Sequence, residues 1–237
     1  MKKFAIADAV LYENNDYIVV NKPPGISTLD DRNDAVNLLS ALRKHTGEVF
    51  VCHRLDKDTS GAIAFAKNEE AHRHLSMQFE NRSVDKLYHA VVDGIHEYDK
   101  LTVDKPIKVT GKGTVKIDYR QGKPSSTQFS SLEAFKMHTL IACKPRTGRT
   151  HQIRIHLSDL KSPITGDTAY GGRLFYLSSV KRNYNLKKWT EEQPMISRMA
   201  LHAFSLGFQN VAGEKVVIEA PYPKDFRVLV DQLRKNK

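Results

Sequence analysis

Five consecutive apolar residues, Ala62-Ile63-Ala64-Phe65-Ala66, follow directly on a charged loop and narrow the possible folds more than any other stretch. A run this short, apolar at every position and not only at alternate ones, reads as a buried strand. Strand-like and helix-like segments are intermixed around it. Residues 16–20 read as a strand stopped by Pro23-Pro24-Gly25. A helical pattern begins at Asn33, carries Val36, Leu39 and Leu42, or Leu38 and Leu42, on one face, and ends at Gly47. Residues 69–82 predict a second helix, with Leu75 and Phe79 one turn apart and Asn81 near its stop. Leu87–Val92 and the stretches 113–119, 126–135 and 138–144 read as strands, 201–208 and 215–219 as a strand pair around Gly213, and 224–235 as a basic helix. No β-α-β rhythm runs through these segments, and there is no internal repeat or low-complexity linker. The pattern predicts an α+β fold with a mixed, largely antiparallel central sheet and flanking helices. One domain over residues 1–237 is the simpler expectation.

Charge bears on partners. Lys plus Arg number 37 against 27 Asp plus Glu, a formal charge of +10, which favours encounter with a polyanion. No apolar run approaches the roughly 20 residues of a membrane span. Asp8 interrupts the short apolar start before a signal core forms, so a cytoplasmic protein is expected. Two cysteines, Cys52 and Cys143, indicate no disulfide framework. One stretch, about 173–198, interleaves cations (Arg173, Lys181, Arg182, Lys187, Lys188, Arg198) with Phe175, Tyr176, Tyr184 and Trp189. Such a mixture suits splayed RNA, with cations for phosphates and ring faces for bases. It also suits an irregular surface insertion whose aromatics tuck inward.

Two constellations could carry chemistry. The first is His53-Arg54-Leu55-Asp56-Lys57-Asp58-Thr59-Ser60-Gly61. Asp56 beside Arg54 and Lys57 should be ionised, because nearby cations favour the carboxylate. The same residues could also be a polar loop in which Asp58, Thr59 or Ser60 turns or caps the chain. The second is Lys144-Pro145-Arg146-Thr147-Gly148-Arg149-Thr150-His151-Gln152-Ile153-Arg154-Ile155-His156-Leu157. Thr150 is the expected N-cap of a helix whose apolar face is Ile153, Leu157 and Leu160 and which Pro163 stops. Alternation at 151, 153, 155 and 157 also permits a strand. Arg154 would sit one turn into the helix. The histidines lack a CxxC partner or an HExxH arrangement, and there is no phosphate-binding glycine loop, so neither a metal nor a cofactor is expected.

These two stretches resemble the HRLD-x-x-T-S-G and R-T-G-R-T-H-Q-I-R-x-H-L signatures of RluA-type pseudouridine synthases. Further pieces agree in order: Ile18 through Gly25, Lys86-Leu87-Tyr88, Pro163 through Gly172, Leu201-His202-Ala203 and Ala220 through Phe226. The resemblance spans about residues 10–230. It implies the pseudouridine synthase fold, with the sheet and its loops around a catalytic cleft, and isomerisation of uridine in structured RNA (rRNA or tRNA) without a cofactor. Carried over residue by residue, it implies that Asp56 is the nucleophile or essential carboxylate. Tyr88 would stack on the target uracil, Arg154 would pair with Asp56, and Arg54 would fill the gap left by the extruded nucleotide. Lys57, Arg146, Arg149 and His151, with Lys181, Arg182, Lys187 and Lys188 of the insertion, complete the expected RNA contacts. Larger relatives carry an N-terminal S4-like RNA-binding domain, for which no room is expected here, and no obligatory protein partner is indicated. A non-catalytic RNA-binding or chaperone role on the same fold is the alternative. A nucleosidase would need a water-activating base that the sequence does not identify.

Overall fold

The computed structural model describes residues 5–29, 37–111, 113–181, 184–186 and 189–237. The chain divides into two compact units, each assembled from separate stretches of sequence. The first comprises residues up to Tyr88 together with His202–Tyr222, the second His89–Leu201 with Pro223–Lys237.

The apolar run at 62–66 organises the first unit. It lies within β4 (Ser60–Ala66), all seven residues of which are buried. β2 (Tyr17–Lys22) runs antiparallel to β4, with Val20 opposite Ile63 and Lys22 opposite Gly61, and β1 (Val10–Glu13) continues the sheet beyond β2. On β4's other side lies β11 (Leu201–Gln209), in parallel, followed by antiparallel β12 (Lys215–Glu219). A two-residue strand, β3 (Phe50–Val51), also pairs with β4.

Successive strand side chains point to opposite faces, and here both faces are covered. Ile18, Val20, Ile63 and Phe65 pack with Leu38 and Leu42 of α1 (Leu38–Thr46). Tyr17, Val19, Ala62, Ala64 and Ala66 pack with Ala71 and Leu75 of α2 (Glu69–Glu80). This double coverage explains why β4 lacks polar alternation. The three alanines on the α2 side bring little bulk between helix and sheet. Asn37 caps α1 through a reciprocal pair with Ser40, and Gly47 ends the helix with φ 85°. The sequence starts this helix at Asn33; that residue and Val36 lie outside the described residues, and the helix that is described begins at Leu38.

β5 (Asp85–Asp93) begins in the first unit beside β11 and ends in the second beside β10 (His138–Pro145). β10 pairs antiparallel with β9 (Ser126–Ala134), and β9 with β6 (Leu101–Asp104). β7 (Ile107–Val109) and β8 (Val115–Ile117) form a separate ribbon. Two helices complete the unit: α3 (Gln152–Asp159) and α4 (Lys224–Lys235), the latter burying Phe226, Leu229, Val230 and Leu233. The α+β class with mostly antiparallel pairing is as predicted. The sequence joins β8 to a longer strand over 113–119 and misses β6 and β7, which are short and polar at alternate positions. No described helix is long and apolar enough to cross a membrane.

Three details of the signature helix depart from expectation. Its N-cap is His151 and not Thr150, in the left-handed region at φ 51° and without a side-chain capping bond. Leu160 is its C-cap and not a member of its buried face. The helix ends before Pro163, where Lys161 adopts φ 62°.

Gly61, at the start of β4, has φ 117°, and a Cβ there would stand 2.1 Å from the Ala203 carbonyl oxygen on parallel β11. Backbone contact this close leaves no room for relaxation. Gly61→Ala is expected to cost about 3 kcal/mol or more from strain and overpacking combined, read as a lower urea midpoint.

Candidate active site

The charged loop before β4 is fixed at nearly every residue. His53 stacks on Phe79 of α2 at 4.4 Å between ring centroids, and its Nε2 accepts the Ala64 N–H at 3.0 Å. That bond requires a neutral ring protonated on Nδ1. Burial, reinforced by the nearby Lys86 ammonium, pushes the His53 pKa down to about 3. His53 therefore anchors the loop to the sheet. Leu55 is buried on the α1 side of the sheet, among Ile63 and Phe65.

A second segment holds the residues on either side of Asp56. The Thr28 hydroxyl donates to the Leu55 carbonyl at 3.0 Å and accepts the Leu55 N–H at 3.2 Å. The Lys57 carbonyl accepts the Lys22 ammonium at 2.8 Å and the Gly25 N–H at 3.0 Å. Lys22 is fully buried at the end of β2 and also donates to the carbonyls of Pro23 and Ile26. The Asp56 carbonyl accepts the Thr59 N–H, closing a tight turn. Asp56 is thus a half-buried carboxylate on a backbone clamped before and after it, while Arg54, Lys57 and Asp58 point outward and are exposed.

Tyr88, on β5, is half-buried and packs against the same apolar cluster that holds Leu55. Two residues earlier on that strand face, Lys86 has its pKa lowered to about 8 by burial.

The signature on α3, in the second unit, has two faces. One is architectural. The Gln152 side chain donates to the Ser126 carbonyl and the Thr127 hydroxyl, and accepts the Thr147 hydroxyl and the Arg149 N–H. His156 is fully buried, bonded to Thr127 and to the Lys105 carbonyl, with its pKa lowered by burial. The other face presents Arg154. Its Nε and Nη2 donate to the two carboxylate oxygens of Asp167 at 2.7 and 2.8 Å, and its guanidinium carbon lies 4.7 Å from the centre of the Tyr170 ring.

The remaining expected RNA contacts are distributed unevenly. Arg146 is exposed, whereas Arg149 is half-buried and donates to the Pro124 carbonyl. His151 is half-buried against the Tyr170 hydroxyl at 2.8 Å. In the insertion Lys181 is exposed and lies over Tyr184. Arg182, Lys187 and Lys188 lie outside the described residues. Phe175 tucks inward against His138, but Trp189 is 93% exposed. Arg198, grouped by the sequence with the surface cations, is buried in a two-point pair with Asp225. Sequence reasoning assigned no role to Lys22, Thr28, Asp167 or Tyr170. All but Thr28 lie inside the segments that carry the resemblance, but which carbonyl or cation each serves depends on how the folded chain brings separate segments together.

Burial holds His53, His138 and His156 below the ordinary histidine range, with Asp93 partly opposing the effect at His138. The folded state therefore binds fewer protons than the unfolded state once pH falls below the unfolded value of 6.5. Their stability contribution is present above that pH and is lost as pH falls, for His53 down to about 3. The urea midpoint is expected to drop between about pH 7.5 and 5. It should drop less in His53→Gln, whose amide can accept the Ala64 N–H without titrating.

The family model described as RNA pseudouridylate synthase matches residues 16–159. The chain is 36% identical to an uncharacterized RNA pseudouridine synthase, YlyB, of Bacillus subtilis, covering 96% of this chain and 73% of that protein. It is 34% identical to ribosomal large subunit pseudouridine synthase C of Escherichia coli, covering 98% and 72%. Among solved structures, human RNA Pseudouridylate Synthase Domain Containing 4 superposes with a TM-score of 0.73 at 23% identity, covering 97% of this chain and 94% of that one. Human RNA Pseudouridylate Synthase Domain Containing 1 gives 0.69 at 27%, covering 99% and 98%. With sequence and fold in agreement, the chain belongs to the RNA pseudouridylate synthase family and is an RNA-modifying isomerase.

Proposed function

We propose that the enzyme isomerises specific uridines in structured RNA, with large-subunit ribosomal RNA the favoured substrate and Asp56 the essential carboxylate. The observation that carries this reading is the clamp of Lys22, Gly25 and Thr28 on the residues flanking Asp56. A carboxylate on so fixed a backbone is preorganised, which is what a reaction at a sugar carbon asks of it. Isomerisation breaks the N1–C1′ bond, turns the uracil and joins C5 to C1′. N1 gains a proton and C5 loses one, so nothing is gained or lost overall. A carboxylate can stabilise charge developing at C1′, bond to an intermediate or take a sugar proton.

In this reading Tyr88 is the platform for the extruded uracil and Arg154 the counter-charge that holds Asp56 in one rotamer. Arg54 and Lys57, exposed on either side of Asp56, would meet the RNA at the gap and at phosphate. The ribosomal preference follows from the names of several relatives. Transfer RNA is the other substrate in the test. The enzyme is expected to act in the cytoplasm.

The test compares pseudouridine maps of ribosomal and transfer RNA, by carbodiimide treatment and primer extension, in parent, deletion and Asp56→Ala strains. At least one site is expected to vanish on deletion, to return with the wild-type gene and to stay absent with Asp56→Ala. Identical maps in all three strains would defeat the proposal.

The exposed Trp189 favours an RNA-holding role for the insertion that adds to catalysis. Stacking of a base on an aromatic face is worth about 1–3 kcal/mol, so Trp189→Ala is expected to weaken RNA binding about tenfold. Lys181→Glu should weaken it and also flatten its salt dependence, since fewer counterions are then released. Equilibrium binding at several salt concentrations checks both. Should Asp56→Ala complement a deletion phenotype fully while the insertion variants do not, holding RNA would be the main role.

A further inference from the structure

We propose that Asp167 is a positioning residue for the reaction, fixing the Arg154 guanidinium in one orientation while Tyr170 fixes its plane. The inference rests on the assignment of Arg154 to the catalytic centre.

The Asp167 side chain is only 2% exposed and that of Arg154 12%. A carboxylate so enclosed is costly unless its charge is matched, and two parallel N–H···O bonds match it with fixed geometry. Asp167 is itself held. Its N–H donates to the Ile164 carbonyl, and its own carbonyl accepts the N–H groups of Tyr170 and Gly172. The carboxylate thus projects from a rigid turn at the start of the 3-10 helix Thr168–Tyr170.

Tyr170 approaches from a different direction. Its ring lies across the guanidinium at cation–π distance, and its hydroxyl accepts the Val115 N–H at 2.9 Å, leaving its proton for His151 Nδ1 at 2.8 Å. His151 meanwhile adopts φ 51°, a strained conformation for a residue with a side chain, directly before α3. One restraint therefore acts in the guanidinium plane, another through the face of the Tyr170 ring, and a third at the start of the helix that carries it.

Anchoring the helix does not explain this degree of control. Gln152, His156 and Leu157 already tie α3 down through buried contacts on its other face. The Asp167 pair employs the Nε–Nη2 edge and two of the five guanidinium donors. It sets where the remaining donors point, which is the property a counter-charge for a catalytic carboxylate must have. Its electrostatic effect on Arg154 is secondary, since arginine stays protonated regardless.

The test is Asp167→Asn in the full-length enzyme, which keeps the side chain's size and removes its charge. Under single turnover on an RNA that the wild type modifies, the rate is expected to fall about tenfold or more while RNA affinity changes less than about twofold. Arg154→Lys should be slow in the same way, and the double variant no slower than Arg154→Lys alone, because Asp167 acts only through Arg154. A wild-type rate in Asp167→Asn, or penalties that multiply in the double variant, would overturn the proposal. A second readout needs no activity: the Arg154 Nε–H signal in nitrogen-15 NMR is expected to be sharp and slow to exchange in the wild type and to lose that protection in Asp167→Asn. Unchanged protection would equally overturn it. If the wild type forms no pseudouridine, the functional reading falls by itself, and the NMR result still decides whether Asp167 holds Arg154. Should Asp167→Asn fail to fold, Tyr170→Phe keeps the ring and drops both hydroxyl bonds. It is expected to slow turnover about threefold and to weaken the same protection; wild-type values for both would count against the proposal.

Discussion

The ammonium group of Lys22 is buried without exposure, and the loop that carries Asp56 depends on how that charge is accommodated. Removing a cation from water costs several kcal/mol unless polar groups replace its hydration. Here the Pro23, Ile26 and Lys57 carbonyls take that place, and the last belongs to the residue just after Asp56. The loop is thus drawn onto the end of β2 by the need to solvate a buried charge. Thr28 secures the peptide before Asp56, and Leu55 fills the core beneath it. A polar loop that composition alone would allow to be mobile becomes one of the better restrained parts of the first unit.

The second unit solves a similar problem with other chemistry. A helix whose N-cap makes no side-chain bond and is itself strained would be expected to fray. Gln152 and His156 prevent this by bonding inward to β9 and to the Lys105 carbonyl just after β6. Arg154 on the opposite side is left to Asp167 and Tyr170. A dense run of charged and polar residues thus resolves into two sets with separate tasks: one holds the helix and the other aims a guanidinium.

Much of this was legible in the sequence, unevenly. β4 was recognisable because both of its faces are buried, so its run from Ala62 to Ala66 is apolar at every position. α2 and α4 were recognisable because their apolar residues recur at helical spacing. β6 and β7 were not, since strands of three or four residues carry too little pattern to register. Arg198 reads in the sequence as one cation among several, because its partner Asp225 lies 27 residues away on α4. Thr150 looked like the better cap from its side chain. The chain instead places His151 there, where Tyr170 receives its ring.

The sequence by itself determined the fold class, the family and the candidates Asp56, Tyr88 and Arg154, because local periodicity and ordered short motifs are written in neighbouring residues. Only the tertiary structure decided which side chains restrain those candidates. Lys22 reaches Lys57 across 35 positions, and Asp167 meets Arg154 only once a turn and a short 3-10 helix have formed. Hydrogen bonds and ion pairs act over about 3 Å, so partners distant along the chain become defined only when folding brings them together.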